Sequence, residues 1–263
     1  AHVRAGSADV PDVAKNARDA EIVDIELSCI QFVDAATSDA LSNWLTFPCH
    51  PEVLWEDNPC ISADYVASMR DTVTSATRAP CLATVGALGG MMTPDMPGHT
   101  FGDAEAMGAK LGDAALTVLD DVEAVAVDQA TYVRCRASVP LDNPLFLMAS
   151  QAGLVPELTE DGAVPIEASL LRLGGTWLFA VPGELFPKLG LAYKKMMLDA
   201  GAEQAVIIGL ANDELGYILP AEDFVVPADW QEPGESYEES MSVSVQMGPT
   251  LTDMLKKLIG SGA

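Results

Sequence analysis

Apolar positions recur at two different periods along this chain, and the alternation between them predicts a succession of strands and helices. Residues 22–33, IVDIELSCIQFV, are rich in β-formers and alternate in stretches, which predicts one or two closely spaced strands. In SADYVASMRDTVTSAT, Val66, Met69 and Val73 share one helical face behind a Ser62 cap. CLATVGAL is short and apolar and ends in Gly89-Gly90, the pattern of a buried strand feeding a tight turn. Met107, Leu111 and Leu119 then predict a helix in AEAMGAKLGDAALTVLDDV. EAVAVDQATYVRCRASV is strand-like, and SLLRLGGTWLFAVPG is a hairpin turned at Gly174-Gly175. ELFPKLGLAYKKMMLDAG is a helix with its lysines towards the C-terminal half and its stop at Gly201. AVIIGLA is a further buried strand, and PTLTDMLKKLIG is an amphipathic helix from Leu251 to Leu258 closed by Gly260. PADWQEPGESYEES is expected to be a long loop.

Strands and helices therefore intermix throughout, and the near-continuous apolar strands imply sheets covered on both faces. The expectation is an α/β fold with mixed, largely parallel sheets flanked by helices. At 263 residues and 49% hydrophobic, the chain can bury one large core, and one domain over residues 1–263 is expected. No apolar run approaches the roughly 18 residues of a membrane helix, so no transmembrane segment is expected. Functional-looking sequence begins at residue 2, which suggests a fragment or a processed chain.

A net charge of −25 makes phosphate neutralisation improbable, which sets nucleic acids aside, and anionic membrane surfaces with them. Such acidity suits solubility through self-repulsion, or a salt-rich medium in which carboxylates are screened over about 3 Å at 1 M salt. Cys29, Cys49, Cys60, Cys81 and Cys135 are odd in number and lack CxxC spacing, so neither a complete disulfide framework nor a structural zinc knot follows.

In open α/β sheets, sites collect beyond the carboxyl ends of strands. The turns after CLATVGAL, LFAVP and AVIIGLA carry Thr93, Glu184 and the polar run Asn212, Asp213, Glu214 and Tyr217. Of the three histidines, His50 is flanked by prolines in FPCHPE, while His2 and His99 stand in AHVRAG and PGHTFGD. Imidazole and carboxylate suit zinc. Spacing alone does not assemble a site, because His2, His50 and Glu184 are far apart and no HExxH motif is present. Glu184 reads equally well as a first-turn helix charge, Tyr217 as a half-buried tyrosine and the histidines as surface or capping groups.

The ordered set NWLTFPCHPEVL, ISADYVASMR, GALGGMMTPD, LRLGGTWLFAVPGE, GLANDELGY and YEES resembles the catalytic domain of the neutral, non-lysosomal ceramidase family. Those enzymes are zinc amidases that split ceramide into sphingosine and a fatty acid. The resemblance implies a zinc site formed by His2, His50, Glu184 and Tyr217, with Asn212 and Asp213 bracing the loop. It also implies that Tyr237 donates to the reacting carbonyl. Three departures accompany it. The second histidine of a family His-x-His pair is Arg4, which can donate hydrogen bonds to an oxyanion but cannot act as a base. The family's serine is Thr93, whose hydroxyl is left to orient water or substrate, and the aspartate before it is Met91. The family's preceding strands and its C-terminal sandwich domain are not expected in residues 1–263, which leaves room for a second chain that supplies the missing N-terminal elements, or for a homo-oligomer. The implied activity is zinc-dependent hydrolysis of an amide bond in an N-acylated, sphingolipid-like substrate. Its alternatives are a catalytically silent binding or assembly subunit and a hydrolase of non-lipid amides or esters. A secreted or periplasmic setting follows from the resemblance, a salt-rich cytoplasm from the acidity.

Overall fold

The computed structural model describes residues 2–56, 58–154 and 163–261. In chain order the elements are β1 (His2–Asp9), β2 (Ala14–Asn16), β3 (Glu26–Val33), β4 (Ala40–Phe47), α1 (Tyr65–Thr77), β5 (Cys81–Val85), β6 (Met92–Pro94) and α2 (Phe101–Asp121). There follow β7 (Val125–Ala126), β8 (Ala130–Pro140), α3 (Pro144–Gln151), β9 (Ala163–Leu173), β10 (Thr176–Ala180), β11 (Glu184–Leu185), α4 (Pro187–Asp199), β12 (Gln204–Ile208), β13 (Tyr217–Ile218), α5 (Tyr237–Ser240) and α6 (Met247–Gly260). Among the described residues no helix is long and apolar enough to cross a membrane.

One sheet has the order β5-β4-β3-β1-β7 and a second the order β12-β10-β9-β8. Two short ladders, β11-β13 and β2-β6, stand beside them. The sheets are mixed and flanked by helices, as the sequence implies, but the balance of direction is the reverse of the expected one. Only β4–β5, β10–β12 and β11–β13 run parallel, whereas β1–β3, β1–β7, β3–β4, β8–β9, β9–β10 and β2–β6 are antiparallel. Short connections between sequential strands force that direction, as at Gly174-Gly175, where Leu173 and Thr176 face each other across a two-residue turn.

The apolar strands are continuous because each sheet is covered on both sides. Leu27, Cys29 and Leu45 pack beneath Met69 and Val73 of α1 and Met107 and Leu111 of α2. Ile166, Leu170, Phe179 and Ile207 of the other sheet pack against Tyr193 of α4 and Leu251 and Leu255 of α6. Val3 and Ile30 from the first sheet meet Leu178, Val206 and Ile208 from the second. The layers thus run helices, sheet, sheet, helices.

Helix α1 starts one turn differently from the simple reading. Asp64, not Ser62, caps it, accepting the Tyr65 N–H at 2.7 Å while also taking the N–H groups of Val53 and Leu54. Ser62 accepts from the Asp64 amide. Helix α2 has a reciprocal capping box between Thr100 and Asp103. The stretch 227–240 is not a plain loop, since α5 lies within it.

The layering matters for function because β4, β5, β10 and β12 finish at one end of the two sheets. Their exits are stitched together by Gly86 N–H to Phe47 O (3.3 Å), Gly209 N–H to Val85 O (2.9 Å) and Val181 N–H to Ile208 O (3.0 Å). The loop after each of these strands is thereby delivered to one place.

Candidate metal and hydrolase site

His50 leaves β4 after Pro48 and Cys49, and its backbone N–H is tied to Met92 O of β6 at 2.9 Å. Glu184 opens β11, directly across a parallel ladder from Tyr217 of β13. The ladder is tight at Gly216, which has φ 78° and whose added Cβ would collide with the Met241 carbonyl, so only glycine fits. Likewise the Gly89 N–H reaches Leu185 O at 2.9 Å and has no room for a side chain beside the Glu184 carbonyl.

These constraints bring His50 Nε2 to 3.2 Å from Glu184 Oε2, with about a fifth of each side chain exposed. The separation is that of an ion pair, yet neither atom has a hydrogen-bond partner of acceptable geometry, and both are shielded from solvent. Burial works to lower the His50 pKa, but the Glu184 carboxylate, the charge of Glu52 and the Leu88 backbone raise it, and the net shift is upward from 6.5. Tyr217 is buried, and burial together with the negative charge of Glu184 pushes its phenol well above the ordinary tyrosine value. Its hydroxyl contacts Met91 Sδ at 3.5 Å, and its ring meets Phe186 and Tyr237 edge-on at centroid distances of 6.3 and 6.0 Å. Burial and the nearby Glu184 carboxylate also raise Glu214.

Beyond Tyr217 a cleft of about 670 Å³ is lined by Arg18, Met91, Val225, Tyr237, Glu238 and Glu239. Arg18 reaches Glu238 at 2.7 Å and Glu239 at 2.6 and 2.9 Å, and its guanidinium lies 5.2 Å from the centre of the Phe186 ring. Burial alone would raise Glu239, but Arg18 and the Val225 N–H hold it below the usual carboxylate value, and Arg18 is raised in turn. Sequence reasoning did not find Arg18. Its partners lie 220 and 221 residues away, and a lone arginine in KNARD carries no local signature. The doubled glutamate of YEES was the available signal.

The structure thus brings together His50, Glu184 and Tyr217, with Tyr237 beside them and Thr93, buried in β6, one residue beyond the Met92 that anchors His50. It does not bring His2 or Arg4 to this place. His2 pairs with Val33, which pairs with Ala40 at the start of β4, whereas His50 follows the other end of that strand. The intervening seven residues of strand span roughly 23 Å. Arg4 points its guanidinium at Gln31 (2.9 Å), itself bonded to Asn43, in the middle of the same sheet. Asn212 and Asp213 serve their own turn. Asn212 adopts φ 77° and reaches the Glu167 carbonyl at 3.5 Å, and Asp213 accepts the Glu214 N–H at 2.9 Å.

Among the described residues no group of three or more His, Cys, Asp or Glu side chains is arranged around a common point for a metal. The converging set offers instead one imidazole, one carboxylate and one phenol. As a donor set it fits zinc, since a nitrogen and two oxygens leave a position free for water or substrate. The unsatisfied pair is the observation behind that fit: among the described residues, the His50 imidazole Nε2 and the Glu184 Oε2 lie 3.2 Å apart, shielded from solvent and without a well-aligned hydrogen bond.

No protein-family model and no curated protein matches the chain. Solved structures do. The fold is similar to that of neutral ceramidase from Pseudomonas aeruginosa, with TM-score 0.72 and 16% identity over 98% of this chain and 52% of that one. It is similar also to a ceramidase complexed with C2, with TM-score 0.74 and 14% identity over 98% of this chain and 53% of that one. The chain spans about half the length of each. At such identity the likeness shows a shared fold alone.

Proposed function

We propose that this chain is a zinc-dependent hydrolase of the amide bond in an N-acylated, lipid-like substrate, with His50, Glu184 and Tyr217 as the metal-holding residues. The observation that supports this most is the buried pair His50 Nε2 and Glu184 Oε2, 3.2 Å apart and unsatisfied, with the Tyr217 phenol across the ladder. A cation there would supply the missing partner of His50 and Glu184 and favour the Tyr217 phenolate over the phenol, against burial. Zinc, when bound, supplies Lewis-acid polarisation of a carbonyl and a water of lowered pKa.

The remaining work falls to side chains of this chain. The His50 backbone N–H on the Met92 carbonyl fixes where the ring stands, and its Nε2 faces Glu184. Tyr237, about half exposed at the cleft wall, presents a phenol O–H to the oxygen on which negative charge develops. Arg18 is a positioning residue, because by gripping Glu238 and Glu239 it fixes the short helix α5 on which Tyr237 stands. Thr93 is placed to orient water or the amide group. His2 and Arg4, near the opposite end and the middle of the sheet, take no part. A family resemblance in sequence and a shared fold make an N-acyl lipid the first substrate class to test.

Elemental analysis of the purified chain is the direct test. Stoichiometric zinc, lost in His50→Ala and in Tyr217→Phe, is expected, together with hydrolysis of N-acylated amines whose rate depends on acyl length. A folded protein that takes up no zinc overturns the reading. The single imidazole at the site favours a second reading, a silent binding or assembly subunit, which predicts that outcome. Indifference to acyl length would favour non-lipid amides or esters.

A further inference from the structure

Two residues past His50, the chain lines a cavity that shares only Thr93 with the proposed zinc site. It measures about 330 Å³ and is walled by Lys15, Glu52, Trp55, Thr93, Met96 and His99. Its connection to the site is through the backbone, since the Glu52 N–H donates to the His50 carbonyl at 3.0 Å and Thr93 follows the residue that anchors His50.

The polar groups of this cavity are unevenly satisfied. Lys15 is engaged with Asp95 at 3.0 Å, so its charge is answered locally. Glu52 has no such partner, and its Oε1 is shielded from solvent without a hydrogen bond. His99 Nδ1 lies 2.9 Å from the Val53 carbonyl, which can only accept, so the proton sits on Nδ1 and the neutral ring offers Nε2 as a second acceptor. The Thr93 hydroxyl is a third. At the rim, the Trp55 ring stands 5.8 Å from His99 and is about half exposed. Its backbone is held at φ 55°, a left-handed conformation that a bulky side chain adopts only under constraint.

We infer that this cavity binds a protonated primary amine. An ammonium carries three N–H donors and no acceptor, the complement of a carboxylate oxygen, an imidazole nitrogen and a hydroxyl. The indole adds a cation–π face, which a neutral ligand would not exploit. Where the hydrolase reading holds, this ammonium is the amine half released from the amide, and its place beside His50 sets which side of the scissile bond faces Glu52. That last step rests on the hydrolase reading; the amine site itself does not.

The test is a titration of the full chain with 2-aminoethanol and, separately, with its neutral isostere 1,2-ethanediol, followed by NMR of the Trp55 indole and His99 ring. Saturable shifts with the amine and none with the diol are expected. Glu52→Gln, which keeps the side-chain shape, should weaken amine binding about tenfold or more. Trp55→Leu, at an exposed position, should weaken it about threefold. Equal binding of the diol, absence of saturation, or unchanged affinity in Glu52→Gln would overturn the inference. Glu52-dependent amine binding without hydrolysis of any N-acylated amine would retain the amine site and overturn only the hydrolase. Hydrolysis with an unchanged KM in Glu52→Gln would do the opposite.

Discussion

Two sets of charged groups sit at the same end of this molecule on either side of the Tyr217–Tyr237 contact, and they are finished to different degrees. Around Arg18, every charge is answered. Two carboxylates take its N–H groups, the Val225 amide caps Glu239 and the Phe186 ring faces the guanidinium. Around His50 the pairing is looser, since Nε2 and the Glu184 Oε2 lie 3.2 Å apart, shielded, without a well-aligned hydrogen bond. The fold closes the first set with aligned hydrogen bonds of its own residues and leaves the second less fully bonded. A closed network supports structure, whereas an open one costs stability until it is filled.

The contrast is broken most forcefully by Arg18→Ala, which strands a fully buried Glu239 and a nearly buried Glu238. Urea denaturation should show a loss of about 3–5 kcal/mol. Glu184→Gln should act far less on the fold. Its pair with His50 is partly exposed and poorly aligned, so the metal-free protein should change by less than about 1 kcal/mol in the same assay while its zinc uptake falls. A loss comparable to that of Arg18→Ala would mean that His50 and Glu184 form a structural ion pair after all.

Acid sharpens the comparison further. The folded-state pKa of Glu239 lies below its ordinary value of 4.5, so its contribution is fully present above about that pH. The contribution is lost as pH falls through the lowered value. Stability measured across this window should decline on acidification, and Glu239→Gln should flatten that decline. Smallest of all is Lys195→Ala, which removes an i,i+4 pair with Asp199 in which both side chains are mostly exposed. No measurable change in the denaturation midpoint is expected, as water already answers those charges.

The helices were legible because their apolar residues keep a helical period without competition, as at Met107, Leu111 and Leu119, all buried in α2. The hairpin at Gly174-Gly175 was legible because a two-residue turn has few sequences that fit it. Strand β4, ALSNWLTF, escaped because Asn43 and Thr46 are buried polar residues that interrupt the apolar pattern. Asn43 is satisfied by Gln31, Thr77 and the Ala79 carbonyl, partners from two segments distant from it in sequence. Strand β1 escaped because HVRAGSAD is small and polar, its place given by β3 alongside it. At the site, His50, Glu184 and Tyr217 each follow a strand carboxyl end, but their spacing in sequence does not join them, and only the family resemblance placed them together. His2 shared the residue type but not the position, since sheet register sends it to the far end of β3.

The ladder that sets Glu184 against Tyr217 is only two residues long, and main chain fixes the spacing between them. Side-chain identity at these positions is therefore decoupled from the framework that carries it. A substitution at either position would change the chemistry of the pair while the surrounding scaffold scarcely registered it. The same fold, at a TM-score of 0.72, is carried by a solved structure with 16% identity to this chain.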